Sequence, residues 1–421
     1  MAVQLRAAVS PEFAQRRAKA RSNTSDGVLV LFGNKEGEDL HYGFFQDTNF
    51  FYLTGCDAPG AVLIMTPEPG KDEPGLAERL KVPREILFLP QRVPNAERWT
   101  GRKMGPNDPK VQEITGFATV MPAESFESEL QTLLAIYPSV ITLTGEAGAD
   151  RIGKLAPLRE VIDARPGLAR LRMIKSESEI AKIQKATDAS VDAHRAAWRM
   201  IEPGKYEYQV AAVMVETYMN EGCQRSAYTP IVGSGPNSTT LHYSKNSRRM
   251  DAGEIVVMDV AGECDNYASD ITRTVPAGGK FSPRQREIYE IVLGAQKAAI
   301  AAVKPGVMIS GPGDTSLYKI AYDYINTHGK DLHGKPLGQY FTHGLSHDVG
   351  LDVHDEATYT VPLKANMVIT VEPGIYIPEE NIGVRIEDVV LVTDSGARVM
   401  SAALPKDPGE IERAIAEGRN Q

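Results

Sequence analysis

The second half of the chain contains the same order of segments twice, and this repeat limits the possible folds more than any other feature. A long amphipathic segment ends in IEPG at 201–204, and a second one, YEYQVAAVMVETYMNEG, follows it. Another long segment ends in VKPG at 303–306 and is followed by SLYKIAYDYI. Each pair precedes an apolar run that carries an acid, GEIVVMDV in one copy and ANMVITVE in the other. The repeat predicts an internally duplicated α+β domain with pseudo-twofold symmetry, in which two acid-bearing sheets surround a shared cleft.

The first helix of each repeat has a clear start signal. Ser176 is followed three positions later by Glu179, which is the pattern of a capping box. Ser282 precedes Pro283, and proline is well tolerated at the first position of a helix. These signals predict that the long helices begin at these two serines.

The first part of the chain has a different texture. Residues 27–65 contain short apolar runs such as VLVLF and AVLIM, and alternating segments continue to VITLTG at 140–145. This alternation predicts a mixed α/β domain. DARPGLAR at 163–170 combines proline and glycine and is interpreted as a linker. We therefore expect two domains, residues 1–165 and residues 171–421.

The composition narrows the possible partners and compartments. The formal net charge of −9 argues against nucleic acid as a partner. No apolar run reaches the roughly 18 residues of a membrane span, so no membrane association is expected. Three cysteines, Cys56, Cys223 and Cys264, are far apart and form no CxxC pair. This spacing suggests a reducing compartment without a thiolate zinc site, and the cytoplasm is the expected location.

The acids of the first repeat suggest a cation site. Asp259 ends one apolar run and Asp270 opens the next. A simple hairpin would place these two residues directly opposite each other, with Cβ atoms roughly 5 Å apart. Two carboxylates at that separation repel each other unless a cation lies between them.

The second repeat supplies another pair of acids. Glu372 follows the apolar run MVITV, and Glu387 lies in GVRIEDVVLV with Arg385 on the same strand face. Asp388 would point the opposite way, which makes Glu387 the better ligand candidate. Four carboxylates balance the charge of two divalent cations, and a carboxylate-rich set with one histidine favours hard ions such as Mn²⁺. Such a two-metal site can activate water and polarise a carbonyl.

Three histidines lie close together in FTHGLSHDVGLDVHD, residues 341–355. His343 and His347 have the spacing of the zincin motif, but Gly344 stands where that motif requires glutamate. The glycines of the segment also argue against one continuous helix. One histidine suffices to complete the proposed ligand set, so the others, including His354, are free to donate hydrogen bonds to a substrate.

The complete ligand pattern resembles that of a known family. The site of the pita-bread metallopeptidases resembles this chain in five ligands, Asp259, Asp270, His347, Glu372 and Glu387. The similarity extends over the stretches LHYS, MDVAGE, SDITRT, THGLSHDVGLDVHD, TVEPGIY and VRIEDVVLV. This family includes methionine aminopeptidase, prolidase and Xaa-Pro aminopeptidase. The resemblance implies a pita-bread catalytic domain from about residue 171 onward.

The resemblance also implies a role for each ligand. Asp259 would chelate one ion, and Asp270 and Glu387 would bridge both ions. His347 and Glu372 would bind the second ion. The implied cofactor is a pair of divalent ions, with Mn²⁺ preferred and Co²⁺ or Zn²⁺ as alternatives.

Further residues match functional positions of the family. Glu372 would also take the proton of the attacking water. His354 and His242 would orient the substrate, and His343 would lie near the scissile bond. Arg385 matches an active-site arginine of the proline-specific branch.

The amino-terminal region distinguishes the branches of the family. FFQDTNFFYLTGCDAPGAVLIM at 44–65 and ERWTGRKMGP at 97–106 resemble the N-terminal domain of aminopeptidase P, which methionine aminopeptidases lack. Creatinase shares the two-domain build but uses no metal. The resemblance implies a creatinase-type α/β domain, hydrolysis of peptides with proline at the second position, and assembly as a homodimer or homotetramer.

Two alternatives stay open at the level of the sequence. Prolidase has the same fold and ligands but cleaves only Xaa-Pro dipeptides, and the short spacing from Glu372 to Glu387 favours the aminopeptidase. Pita-bread domains also serve as non-catalytic binding modules. Such modules have usually lost ligands, whereas all five are present in this sequence.

Overall fold

A computed structural model describes the chain over residues 10–23, 27–37, 43–68, 81–311 and 315–418. It divides into two compact units, Met1–Leu171 and Arg172–Gln421. Within the described ranges, every helix is too short or too polar to cross a membrane.

The amino-terminal unit is a mixed α/β structure, as predicted. Its elements are α1 Pro11–Asn23, β1 Gly27–Phe32, α2 Thr48–Thr54, β2 Val62–Met65, β3 Glu85–Leu89, α3 Glu97–Thr100, α4 Val111–Thr115, β4 Val120–Pro122, α5 Phe126–Leu134, β5 Ser139–Thr142, α6 Ala147–Leu155, β6 Glu160–Asp163 and α7 Arg165–Arg172. The strands form one sheet in the order β4-β3-β2-β1-β5-β6. Strand β1 is antiparallel to β2 and parallel to β5. Its valines pack with Phe126 and Leu130 of α5 in a buried core.

The linker interpretation of residues 163–170 was wrong, because this segment is mostly helical. Helix α7 begins two residues after β6 ends. Pro166 lies in its first turn, where a missing N–H costs no hydrogen bond. Leu168 and Ala169 are buried. Apolar burial on one helix face therefore overrides the proline and glycine, and the two units divide at the end of this helix.

The carboxy-terminal unit contains the repeated segments. Its elements are α8 Glu177–Met200, α9 Glu207–Asn220, β7 Arg225–Ser226, β8 Ile231–Ser234, β9 Ile255–Asp259, β10 Gly262–Cys264, β11 Tyr267–Ala268, β12 Thr272–Pro276, α10 Pro283–Ala302, α11 Leu317–His328, β13 Val368–Val371, β14 Gly374–Ile377, β15 Ile382–Arg385, β16 Asp388–Val392, β17 Ala397–Val399 and α12 Pro408–Gly418. Its described strands form the sheets β12-β9-β8, β13-β16-β17, β11-β10-β7 and the pair β14-β15. Strand β9, which carries Asp259, is the buried central strand of the first of these sheets. Strand β13, which precedes Glu372, is a buried edge strand of the second.

Both repeats are built from a helix, a glycine turn and a second helix. The side chain of Ser176 caps α8 and that of Ser282 caps α10, as the sequence predicts. After each helix, the glycine of the PG turn has a positive φ, 98° at Gly204 and 91° at Gly306. A residue without Cβ adopts this conformation at little cost. The predicted duplication is therefore present in the fold.

The predicted pairing of Asp259 with Asp270 was wrong. Asp259 lies opposite Thr272 in the β9–β12 pair. The turn falls on Asp265 and Asn266, which both have positive φ, so the register differs by two positions from that of the predicted hairpin. Asp270 lies in a break between β11 and β12. The sequence did not reveal this break because strand breaks are set by packing and have no strong local signal.

The interpretation of the cysteines was also wrong for one pair. Cys223 and Cys264 form a disulfide, although 41 positions separate them in the sequence. Folding brings the turn after α9 beside strand β10, and spacing along the chain cannot reveal such a contact. A bonded pair of cysteines does not indicate a reducing compartment.

Candidate metal centre

Four acids converge where strands of the carboxy-terminal unit end. Asp259 is the last residue of β9, and Asp270 lies in the break before β12. Glu372 directly follows β13, and Glu387 lies in the break between β15 and β16. Their side chains are mostly buried, with Glu387 only 1% exposed. Buried carboxylates without a counter-charge are strongly unfavourable, so this group requires a cation or protons.

Ligand atoms of these acids and of nearby histidines form three groups, each with atoms within 4.8 Å of one another. The groups are Asp259, Asp270, Glu387; His347, Glu372, Glu387; and Asp270, His347, His354. Asp270, Glu387 and His347 each belong to two groups, and among these three only the two carboxylates offer a pair of ligand oxygens. This sharing suits a pair of neighbouring cations with two bridging carboxylates.

Burial and mutual repulsion shift the titration of the acids. Burial, followed by the charge of Asp259, raises the pKa of Asp270 well above its usual range. Burial and Asp270 raise the pKa of Glu387, and burial and Glu387 raise that of Glu372. Raised pKa values indicate that the acids bring more negative charge together here than nearby arginine and lysine side chains neutralise.

His347 is oriented to offer a lone pair to the acids. Its Nδ1 lies 3.1 Å from the carbonyl oxygen of Asp348, which can only accept a hydrogen bond, so Nδ1 carries the proton. Its Nε2 lies 3.3 Å from Oδ2 of Asp270 and 3.5 Å from Oε1 of Glu372. A neutral imidazole whose other nitrogen donates to a carbonyl is the usual form of a metal ligand. The donor set therefore fits divalent cations.

Hydroxyl and guanidinium groups orient the carboxylates. Thr272 Oγ1 donates to Glu387 at 2.7 Å, and Thr370 Oγ1 donates to Glu372 at 3.3 Å. Arg385 contacts Oδ2 of Asp259 at 2.6 Å. Arg385 was predicted from the sequence, whereas the two threonines were not. Their only sequence signal is that each lies two positions from an acid, Thr272 after Asp270 and Thr370 before Glu372.

Tyr228 is a site residue that the sequence analysis missed. Its hydroxyl donates to both Asp259 and Asp270, at 2.6 Å for Asp270. It is far from both acids in the sequence, and no motif surrounds it.

The additional predicted histidines also lie at the site. Burial, followed by the charge of Arg385, lowers the pKa of His343 to about 4. Its Nε2 accepts from the hydroxyl of Tyr376 at 2.9 Å, and Arg385 donates to that hydroxyl at 2.8 Å. Burial and His347 lower the pKa of His354 to about 4, and its ring centroid lies 4.1 Å from that of His347. Both histidines are therefore neutral near pH 7.

A cavity of about 270 Å³ opens beside the acids. It is lined by His242, His354, Asp259 and Asp270, with Ile231 and other residues providing apolar wall. The structure thus brings every predicted site residue to one region. Asp388 points away, as predicted, and binds Arg273 at 2.7 Å.

Comparisons with known proteins agree with this arrangement. Residues 181–394 match Metallopeptidase family M24, and residues 13–141 match the Aminopeptidase P, N-terminal domain. Xaa-Pro aminopeptidase of Haemophilus influenzae is 35% identical over 446 residues, covering 96% of this chain and 97% of that protein. Xaa-Pro aminopeptidase 3 of Homo sapiens is 32% identical over 450 residues, covering 96% and 83% of the two chains.

Solved structures of aminopeptidase P are similar to this chain over almost its whole length. Aminopeptidase P from E. coli with the inhibitor Pro-Leu has a TM-score of 0.84 and 30% identity, covering 99% of this chain and 100% of that chain. A zinc-substituted form of the E. coli enzyme in complex with product has the same TM-score, identity and coverage. The two-domain architecture expected from the sequence is thereby confirmed, and the prolidase alternative is not favoured.

Proposed function

Because the chain belongs to metallopeptidase family M24, we propose that it removes the first residue from peptides whose second residue is proline. The chain is a metallo-aminopeptidase whose relatives named Xaa-Pro aminopeptidase span almost its whole length. One observation carries the assignment: five candidate ligands converge beside a cavity that two further histidines line. A non-catalytic binding module would have no need of this intact ligand set.

The ligand set proposed for two cations follows the grouping of the side chains. Asp259 would serve one ion, Asp270 and Glu387 both, and His347 and Glu372 the other, because Asp270 and Glu387 are the two carboxylates that belong to two groups. When bound, divalent cations would lower the pKa of water and polarise the scissile carbonyl. We propose Mn²⁺ as the physiological ion, because carboxylate oxygens outnumber nitrogen ligands and no thiolate takes part.

The protein's own groups move the protons. Glu372 would accept a proton from the attacking water, to which a carboxylate with a raised pKa is suited. It would then deliver this proton to the proline nitrogen as the carbon–nitrogen bond breaks. The nitrogen of an Xaa-Pro bond carries no hydrogen, so it leaves as an amine only after protonation.

Three histidines would position the substrate. His354 and His242 line the cavity next to Asp259, and each can donate an N–H to a carbonyl oxygen. His343 lies 3.8 Å from Glu372, between its Nδ1 and Oε2, and is held by Tyr376 and Arg385. We assign it a position near the scissile bond.

A substrate comparison tests the proposal. Metal-stripped protein is reloaded with Mn²⁺ and given equal amounts of an Xaa-Pro-Yaa tripeptide, an Xaa-Pro dipeptide and an Xaa-Ala-Yaa control, and release of the first amino acid is followed. We expect the tripeptide with proline to be cleaved fastest. Cleavage of the dipeptide alone would identify a prolidase. No cleavage of any peptide by metal-loaded protein would reject a peptidase.

Location and assembly are part of the proposal. We propose a homodimer or homotetramer that binds neither nucleic acid nor membranes. The cytoplasmic location expected from the sequence stays a prediction, and the disulfide of Cys223 with Cys264 does not support it. Cell fractionation tests the location, and light scattering on the purified protein tests the assembly. A monomer in solution would contradict the second part.

A further inference from the structure

A buried histidine of helix α8 joins the two strand segments that carry the first acid pair. The Nε2 atom of His194 lies 3.2 Å from the carbonyl oxygen of Val260 and 3.1 Å from that of Ile271. These residues directly follow Asp259 and Asp270. The imidazole is fully buried. A single side-chain group therefore connects the backbone at both acids.

Helix α10 of the second repeat has an amide in the equivalent place. The Nε2 atom of Gln296 lies 3.2 Å from the carbonyl oxygens of both Val371 and Ile386, and 3.1 Å from Oδ2 of Asp388, and it is the donor in these contacts. These residues directly precede Glu372 and Glu387. His194 and Gln296 stand at the same distance before the proline of the repeated PG turn. Each repeat thus contributes one buried donor that reaches two ligand-bearing segments.

The strands need such a donor because their regular pairing stops at the acids. Strand β9 ends at Asp259 and β12 begins at Thr272, while β13 ends at Val371 and β15 at Arg385. Backbone pairing continues only in part across these breaks, where the N–H of Val260 donates to the carbonyl oxygen of Ile271 at 3.3 Å. A buried carbonyl group is more favourable when it accepts a hydrogen bond. A donor shared between two carbonyls adds a hydrogen bond to each and ties the two segments together.

From this repeated geometry we infer that His194 and Gln296 are a matched pair of positioning residues, each setting the separation of two candidate metal-ligating acids. The inference rests on the proposed function, because it assigns the pair to the metal centre. Neither side chain has a hydrogen bond to a candidate ligand atom. His194 contacts backbone carbonyls, and Gln296 contacts backbone carbonyls and Asp388, which is not a candidate ligand.

The donor state of His194 follows from its surroundings. Both partners are carbonyl oxygens, so Nε2 must carry the proton. Burial, followed by the charge of Arg273, lowers the pKa of His194 to about 3, so the ring is neutral near pH 7. A glutamine places its amide nitrogen at a similar reach, as Gln296 does in the other repeat. His194→Gln is therefore the conservative variant, and His194→Leu removes the donor.

The experiment measures Mn²⁺ affinity calorimetrically on the metal-stripped full chain, together with kcat/KM for the Xaa-Pro-Yaa tripeptide. We expect His194→Leu and Gln296→Leu to weaken Mn²⁺ binding by about 10–100-fold, and His194→Gln to stay within about threefold of wild type. Trp198→Phe is the matched control, because Trp198 is a buried residue one turn further along α8. It should lower thermal stability without weakening Mn²⁺ binding.

Three results would overturn the inference. These are unchanged Mn²⁺ affinity in His194→Leu, equal losses in His194→Gln and His194→Leu, and an equal loss in Trp198→Phe. Each of these results applies to the inference only when wild-type protein binds Mn²⁺ and cleaves the tripeptide in the same experiment. Wild-type protein that does neither would instead overturn the proposed function, so the two failures are distinguishable.

Discussion

Each acid of the candidate metal centre has a neighbour that either carries the opposite charge or donates a hydrogen bond. Arg385 contacts Asp259 and also donates to Tyr376, which in turn donates to His343. Glu372 and Glu387 have no guanidinium or ammonium at hydrogen-bond distance among the described residues and receive hydroxyl donors instead. A single contact from Arg385 offsets the charge of one acid, and the negative charge of the other acids is left for metal cations or protons.

Replacing Glu372 tests its proposed role as proton carrier. We expect Glu372→Gln to lower kcat by about 10²–10⁴-fold, because the amide cannot accept the proton. Activity on the tripeptide and bound metal are measured on the same sample, since Glu372 is also a candidate ligand. Glu379→Gln, an exposed acid in the same region, is the control and should keep full activity. A metal-loaded Glu372→Gln enzyme of normal activity would refute the role.

The raised pKa values of the acids predict how the metal-free protein responds to pH. Asp270, Glu372 and Glu387 bind protons more tightly in the folded than in the unfolded state. Their contribution is therefore fully present below the unfolded pKa of about 4 and is lost as the pH rises through the folded pKa. We expect the thermal midpoint in chelator to fall by several degrees from pH 5 to pH 8. Glu387→Gln should flatten this dependence, and a midpoint that rises with pH would contradict the account.

At the level of elements, turns and breaks in the strands place the acids. The β10–β11 turn at Asp265 and Asn266 has φ of 52° and 65°, which suits a two-residue hairpin turn. The strands on either side are short and stop before Asp270. This geometry moves Asp270 away from the position opposite Asp259, while Tyr228 still joins both carboxylates.

Asn266 offers a test of the turn. Asn266→Val should lower the free energy of unfolding by about 1–2 kcal/mol, because a β-branched residue is unfavourable at positive φ. Asn266→Gly is the matched control at the same position and should change stability by less than about 0.5 kcal/mol, since glycine accepts this conformation. Denaturant unfolding under one redox condition measures both. Equal stability of the two variants would argue against the turn.

At the level of the whole molecule, folding and metal binding are coupled through the acids. They come from segments far apart in the chain, and only the folded carboxy-terminal unit brings them together. An ion that binds the folded state alone stabilises it by an amount that grows with ion concentration, about 2.7 kcal/mol at one hundred times the dissociation constant.

Metal removal should therefore destabilise the protein. We expect saturating Mn²⁺ to raise the thermal midpoint of chelator-treated protein by several degrees, and Asp259→Asn to abolish most of this increase. Asp192→Asn, which changes an exposed acid on α8, should respond to Mn²⁺ like wild type. An unchanged midpoint in wild-type protein at saturating Mn²⁺ would contradict a structural coupling of the ion to the fold.

The sequence by itself determined the features that depend on neighbouring residues. The helix caps at Ser176 and Ser282, the glycine turns after both long helices and the buried runs that end in acids are local patterns. Each is fixed by hydrogen bonding or periodicity within a few positions. The four candidate acids were available from the sequence for a similar reason, since Asp259 and Glu372 are next to apolar runs. The choice of His347 among three histidines came from the resemblance to a known family.

Only the tertiary structure decided the features that depend on contacts between distant segments. The register of the hairpin, the disulfide of Cys223 with Cys264, the contacts of Tyr228 and the bridging by His194 and Gln296 are of this kind. A break in a strand or a buried donor is stabilised by whatever packs against it, and that partner is unknown until the chain has folded. The sequence thus predicted the candidate site residues, and packing decided how they are held.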